Sequence, residues 1–311
     1  MASNMLLRKT KMANIKNIIK PVSHSMRPMF FDVSLRDGLQ NYRDVKMSLN
    51  DKIDIFHTIM FNYSPNKIEI GSIVSPKVMP IMADSLKLYA YAEKFIKETA
   101  NYDPDLYIVV PNKKGFEIGV ENGVKNFSFL TSVSNNFQKK NVNKSLDETQ
   151  NELTDVFSFI ENESKNNGKE FLTKLYISCI NQCPLNGKMD NNLVIHEILK
   201  YNKNFPLMNE FCLSDTCGSL GFEDYKYIID SCIFFGMPSS KISLHLHVNK
   251  ENIDNVKQIL FYSLDNNINR FDVSLLETGG CSLTLPSSKL LPNLSYELFN
   301  DLYSKYLMTK K

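Results

Sequence analysis

No run in this chain approaches the roughly 18 consecutive apolar residues that would span a bilayer. The apolar stretch around Ile233 to Met237 is far too short, so no membrane partner is expected. Net charge is also missing. The 36 basic and 34 acidic residues leave +2, too little for the broad positive field of a dedicated nucleic-acid binder. A small-molecule substrate fits that balance better than a nucleic acid. Cysteine is sparse: Cys179, Cys183, Cys212, Cys217, Cys232 and Cys281 in 311 residues make no secreted disulfide framework and point to a reducing compartment. Cys179 and Cys183 have a metal-like gap, but no second pair at zinc-finger spacing follows.

Acid is absent from the first 28 residues, which carry Arg8, Lys9, Lys11, Lys16, Lys20 and Arg27, with Met12, Ile15, Ile18, Ile19 and Val22 at helical spacing. Residues 1–28 read as a basic leader or tail, ahead of a catalytic domain over 29–311. One reading of the leader is a mitochondrial transit peptide. The other is a disordered or surface-lying tail, favoured by its Lys- and Asn-rich composition, so the expected location is cytoplasmic or mitochondrial.

What is present is alternation. Strand-like runs at 30–35, 67–74, 105–110, 126–133, 174–180, 210–216, 242–248 and 270–277 are separated by stretches of helical periodicity such as 49–62, 78–99, 146–163, 192–202, 222–235 and 252–265. Parallel strands need crossover connections, so this repetition predicts an α/β fold, a single-domain (βα)8 TIM barrel. An open doubly wound sheet is the alternative. Its Gly-rich phosphate turn is missing, since Arg36, Asp37, Gly38, Leu39 and Gln40 follow the first run. The pentapeptide FDVSL occurs at 31–35 and again at 271–275, as neighbouring first and last strands of a closed barrel would allow.

Barrel active sites form at the carboxyl ends of the strands. Arg36 and Asp37 end the first run, Glu69 lies in the second, Asp215 ends the sixth, His245 and His247 end the seventh, and Cys281 follows the eighth after Gly279 and Gly280. A strand period of two sends the imidazoles of His245 and His247 out of the same face. With Asp37 they make a nitrogen and oxygen donor set suited to Mg²⁺ or Mn²⁺, with Zn²⁺ also compatible. Arg36 is placed to hold a developing oxyanion, and Cys281, on a loop over the site, to transfer a proton. His24, His57 and His196 read as structural or surface residues. Cys179, Cys212 and Cys232 read as buried small hydrophobes.

At these residues the chain resembles the 3-hydroxy-3-methylglutaryl-CoA lyase family, within the wider superfamily of metal-dependent lyases and Claisen-type synthases. The resemblance runs over residues 31–298 and rests on RDGLQN (36–41), IEIGSIVSPKVMPIMAD (68–84), PNKKGFE (111–117), SNNFQKKNVNKSLDET (134–149), SCINQCPLNGK (178–188), LSDTCG (213–218), HLH (245–247) and GGC (279–281), in the family's order. It implies that Asp37, His245 and His247 ligate the metal, with Asn293 as fourth ligand in its N-L-x-x-E context. It implies that Glu69 and Asp215 line the site and that Asp37 or His245 takes a proton. The implied reaction is retro-Claisen cleavage of an acyl-CoA substrate, 3-hydroxy-3-methylglutaryl-CoA, to acetyl-CoA and acetoacetate. Arg36 would steady the leaving enolate and Cys281 would protonate it. A homodimer is compatible with the resemblance.

Two departures stand out. CSLTLPSSKLLPN (281–293) has Pro286 and Pro292 and no glycine where the family has a glycine-rich mobile loop. After His247, an aspartate and a glycine-containing turn are replaced by Val248, Asn249 and Lys250. Two alternatives therefore accompany the main reading: a diverged lyase or aldolase on another hydroxy acid or acyl-CoA, and a catalytically silent relative that binds.

Overall fold

The computed structural model describes residues 27–42, 47–99, 102–280 and 284–310. Residues 1–26 of the expected basic leader or tail (1–28) and Cys281 lie outside them.

Eight parallel strands close into a barrel: β1 (Met29–Asp32), β2 (Lys67–Ser72), β3 (Asp105–Val109), β4 (Asn126–Ser132), β5 (Leu172–Ser178), β6 (Glu210–Ser214), β7 (Ile242–His245) and β8 (Arg270–Val273). They follow one another around the barrel in chain order, and β1 pairs with both β2 and β8. The helices are α1 (Leu49–Asn62), α2 (Ser85–Thr99), α3 (Lys113–Glu121), α4 (Asn135–Val142), α5 (Leu146–Asn167), α6 (Asn191–Asn204), α7 (Phe222–Phe234), α8 (Ile253–Asp265) and α9 (Tyr296–Thr309). Every strand is followed by a helix, α4 is an extra one before α5, and a short hairpin (Gln182–Cys183 with Gly187–Lys188) follows β5. Among the described residues no helix is long and apolar enough to cross a membrane.

Local chemistry sets the boundaries. Ser48 and Ser145 open α1 and α5 with reciprocal capping boxes to Asp51 and Glu148. The helical pattern expected from residue 78 begins as an α-helix only at Ser85, because Pro80 has no N–H to give and allows a single 3-10 turn. The first strand stops at Asp32 instead of residue 35, since Ser34 N–H folds back onto Asp32 Oδ1 at 2.9 Å. The seventh stops at His245, and His247 lies beyond it in an isolated bridge to Asn293.

Alternate strand residues face opposite ways. One set, including Ile68, Ile70, Leu175, Ile177, Phe211 and Leu244, packs against the helices in the main apolar layer. The other set faces the barrel interior and carries charge. Lys67 on β2 reaches Glu210 on β6 at 2.8 Å, and Lys174 on β5 pairs with Asp272 on β8. These strands are not neighbours, so the pairs cross the lumen.

The two FDVSL copies exploit this alternation. Their register is offset by one residue, with Phe31 opposite Asp272 and Asp32 opposite Val273. A one-residue offset puts like residues on opposite faces. Phe31 therefore points inward beneath Lys174, 3.5 Å from its ring centroid, and Asp272 points inward too. Asp32 points out to α9, where Tyr296 Oη donates to it at 2.7 Å.

Burial raises the Asp32 carboxyl to about 7, with a smaller push from Asp272 and opposition from the hydrogen bonds of Tyr296 and Ser34. Its folded value lies above its unfolded one, so the stabilisation is complete below about pH 4 and is lost as pH rises through 7. Between pH 4 and 8 the urea stability of Asp32→Asn should gain on that of the unmodified protein by up to about 4 kcal/mol. Parallel pH profiles for the two proteins would contradict this.

Candidate metal centre

The turn that ends β1 builds one wall of the site. Ser34–Gly38 form a single π-helical turn that swings Arg36 and Asp37 over the barrel mouth. Arg36 Nε donates to Glu69 Oε2 at 2.5 Å and Arg36 Nη1 to Asp37 Oδ1 at 2.6 Å. Tyr176 Oη, rising from β5, lies 3.2 Å from each Glu69 oxygen, and the guanidinium carbon stands 5.0 Å from the Tyr176 ring centroid. Burial disfavours the Arg36 cation, but the charges of Glu69 and Asp37 outweigh it and hold the guanidinium protonated.

Facing this wall are the two histidines. Asp37 Oδ2 is 4.0 Å from His245 Nε2 and 3.9 Å from His247 Nε2, and ligand atoms of the three residues lie within 4.8 Å of one another. All three side chains are buried. Among the described residues this is the one cluster of three His, Cys, Asp or Glu close enough to share an ion. His245 Nδ1 lies 3.1 Å from Asp272 Oδ2, and His247 Nδ1 lies 2.8 Å from the Asp215 carbonyl oxygen. Both partners are pure acceptors, so both rings donate from Nδ1 and present a lone pair at Nε2.

His247 Nε2 and Asn293 Oδ1 are buried and have no hydrogen-bond partner among the described residues. Buried acceptors are rarely left so. A divalent cation held together with Asp37 would satisfy both, and the oxygen and imidazole donors suit Mg²⁺, Mn²⁺ or Zn²⁺. Burial alone would raise the Asp37 carboxyl. Arg36 and then the two histidines reverse this and hold it well below the usual carboxylate range, so Asp37 is ionised at neutral pH.

Asn293 reaches the site because the chain returns after β8. Pro292 O accepts from Val248 N at 2.8 Å, Leu294 N donates to Leu246 O at 3.0 Å, and Ser295 then caps α9. Asn293 Nδ2 donates to Asp37 Oδ2 at 2.9 Å, leaving Oδ1 free to ligate. The paired glycines make room for this. A Cβ on Gly279 would sit 2.7 Å from the Asn293 side chain, and Gly280, at φ +88°, donates its N–H to Asp37 Oδ2 at 3.1 Å. Gln40 Nε2 ties Asp37 Oδ1 to the Gly280 carbonyl, at 2.8 and 2.7 Å. Gly279→Ala should push Asn293 off the cluster and weaken Mn²⁺ binding by about tenfold or more, read by calorimetry. Unchanged affinity would show that Asn293 is no ligand.

Asp215 behaves differently from the other rim carboxylates. Its two oxygens accept from Ser219 N and Leu220 N, each at 3.0 Å, so the carboxylate closes its own loop while its carbonyl holds His247. The altered sequence after His247 is supported by Asn252, whose Nδ2 donates to the carbonyls of His247 and Gly218 at 2.8 Å. Cys179 and Cys183 are free, buried thiols packed on Phe137. His57 and His196 sit on α1 and α6, away from the cluster. Cys281 lies outside the described residues. Four residues were not picked out by the sequence: Gln40, Lys174, Tyr176 and Asp272. For the last three, the alternation of inward and outward residues in KLYIS (174–178) and RFDVS (270–274) was the available signal.

Above the cluster opens a cleft with about 930 Å³ of atom-free space, continuous with solvent. Arg36, Asp37, His245 and His247 form its polar side, and Val74, Val78, Met79, Leu130 and Phe137 its apolar flank.

Comparison with known proteins gives a consistent picture. The HMGL-like family model matches residues 27–251. A mitochondrial hydroxymethylglutaryl-CoA lyase of Macaca fascicularis is 28% identical over 255 residues, covering 80% of this chain and 71% of that protein. A Pseudomonas aeruginosa 3-hydroxy-3-isohexenylglutaryl-CoA/hydroxy-methylglutaryl-CoA lyase is 27% identical over 252 residues, covering 80% and 77%. In fold, the chain superposes on an HMG-CoA lyase from Acinetobacter baumannii, solved with coenzyme A and 3-methylmalate, with a TM-score of 0.76 at 23% identity, over 91% of this chain and 86% of that one.

Proposed function

The chain belongs to the HMGL-like family of lyases, and on that premise we propose that it is a divalent-metal-dependent 3-hydroxy-3-methylglutaryl-CoA lyase. The observation that carries this reading is the convergence of Asp37 Oδ2, His245 Nε2 and His247 Nε2, with Asn293 hydrogen-bonded to Asp37, beside the buried Arg36–Glu69 pair. A divalent cation held by these four residues supplies Lewis acidity that makes the substrate's tertiary hydroxyl easier to deprotonate.

The protein's own groups do the rest. Asp37 takes the hydroxyl proton, because His245 gives its Nδ1–H to Asp272 and its Nε2 lone pair to the cation. The oxygen's electron pair becomes the ketone C=O of acetoacetate as the adjacent carbon–carbon bond breaks, and the bond's electrons pass into the thioester enolate. Arg36 holds the enolate oxygen with the N–H groups not engaged by Asp37 and Glu69. The Cys281 thiol gives its proton to the enolate carbon, completing the methyl group of acetyl-CoA. Glu69 and Tyr176 fix the plane of Arg36, and Asp215 fixes His247.

The test is to incubate purified protein and Mg²⁺ or Mn²⁺ with 3-hydroxy-3-methylglutaryl-CoA and measure acetoacetate. Equal amounts of acetoacetate and acetyl-CoA are expected, with chelator abolishing both. A second reading is favoured by the apolar flank of the cleft, which has the lining that a longer 3-alkyl branch needs. Assaying 3-hydroxy-3-isohexenylglutaryl-CoA in parallel separates the two. Metal bound but no acetoacetate from the methyl substrate rules out the first.

A further inference from the structure

We propose that Lys174 and Asp272 are positioning residues for the metal centre: the Lys174 ammonium fixes the Asp272 carboxylate, which in turn fixes the His245 ring with Nε2 facing Asp37. The inference rests on the metal-site reading above and adds to it two residues of the barrel interior that do not line the cleft.

Asp272 divides its two oxygens. Oδ1 pairs with Lys174 Nζ, and Oδ2 lies 3.1 Å from His245 Nδ1. Both residues are almost wholly shielded from solvent, at 0% and 1% relative exposure. An isolated carboxylate at that depth is costly, so the ionised acceptor at His245 depends on a buried cation. Lys174 is held for the task from three sides, with Glu210 Oε1 at 3.2 Å and the Phe31 and Tyr176 ring centroids at 3.5 and 4.7 Å. Glu210 is itself anchored by Lys67 at 2.8 Å and Arg270 at 3.5 Å. The Lys174–Asp272 pair spans the lumen from β5 to β8, whereas His245 stands on β7 beside β8. A pair serving stability alone has no need to aim one carboxylate oxygen at a ring nitrogen on a third strand.

The test is Asp272→Asn. Lys174 retains the amide oxygen, which turns the amide N–H₂ toward His245 Nδ1 and drives the ring proton onto Nε2, the wrong tautomer for ligation. In metal-free protein labelled with ¹⁵N-histidine, His245 should be the Nδ1–H form in the unmodified chain and the Nε2–H form in Asp272→Asn. Mn²⁺ affinity should fall by about 10- to 100-fold in Asp272→Asn and in the same direction in Lys174→Met. A folded Asp272→Asn with unchanged tautomer and Mn²⁺ affinity overturns the proposal. So does an Nε2–H His245 in the unmodified protein, a measurement that needs no variant to fold. Should the unmodified protein bind no Mn²⁺, the metal reading fails, while the His245 tautomer still decides whether Asp272 positions the ring.

Discussion

Replacing Arg36 with methionine should lower kcat by about 10²- to 10³-fold, the usual cost of losing a preorganised donor to a developing oxyanion. Arg36 stands between Asp37 and Glu69 at 2.6 and 2.5 Å, and all three are buried. Methionine fills the volume but strands two carboxylates, which should also cost about 3 to 5 kcal/mol of stability. Lysine restores charge without the planar fork that serves two carboxylates and an enolate together, so Arg36→Lys should recover stability better than turnover. Mn²⁺ affinity should fall by no more than about tenfold, the lower end for losing a hydrogen bond to a ligand, because Arg36 contacts the carboxylate oxygen that does not face the histidines. Loss of Mn²⁺ binding in step with kcat would assign Arg36 to metal retention and remove it from the enolate step.

The second large effect is expected at Cys281. Cys281→Ser should slow turnover by about 10²- to 10⁴-fold, the range for removing a positioned proton donor, since a serine hydroxyl is a far weaker acid than a thiol. Mn²⁺ affinity should be untouched. In the sequence Cys281 directly follows Gly280, whose N–H donates to Asp37 Oδ2. Full turnover in the serine variant would move the protonation step elsewhere.

These residues differ in how far the sequence reveals them. The barrel is legible because outward-facing Ile68, Ile70, Leu175 and Ile177 alternate with inward polar residues, and helical periodicity returns between strands. Arg36, Asp37, His245 and His247 are legible because strand ends are where barrel chemistry gathers. Lys174, Tyr176 and Asp272 were hidden because the Lys174–Asp272 and Tyr176–Glu69 contacts cross the lumen between strands that do not pair. The repeated FDVSL shows why identity of sequence does not fix role. One residue of register sends Asp32 outward to Tyr296 and Asp272 inward to Lys174 and His245. Asp215 looked like a residue lining the cleft, but the direction of its carboxylate is decided by the N–H groups of Ser219 and Leu220, which no strand pattern reports. Asn293 was legible through the family resemblance. Its delivery to Asp37 depends on the bridge to His247 and on the bare backbone of Gly279.

The central claim is that Asp37, His245, His247 and Asn293 together hold one divalent cation. Titration of metal-free protein with Mn²⁺, followed by electron-spin-echo detection of bound histidine nitrogen, tests it most directly. The account predicts one tightly bound Mn²⁺ per chain with two imidazole couplings, and in His247→Ala one coupling and an affinity lower by about 10²-fold. An alanine variant that binds Mn²⁺ as tightly as the unmodified protein would contradict it.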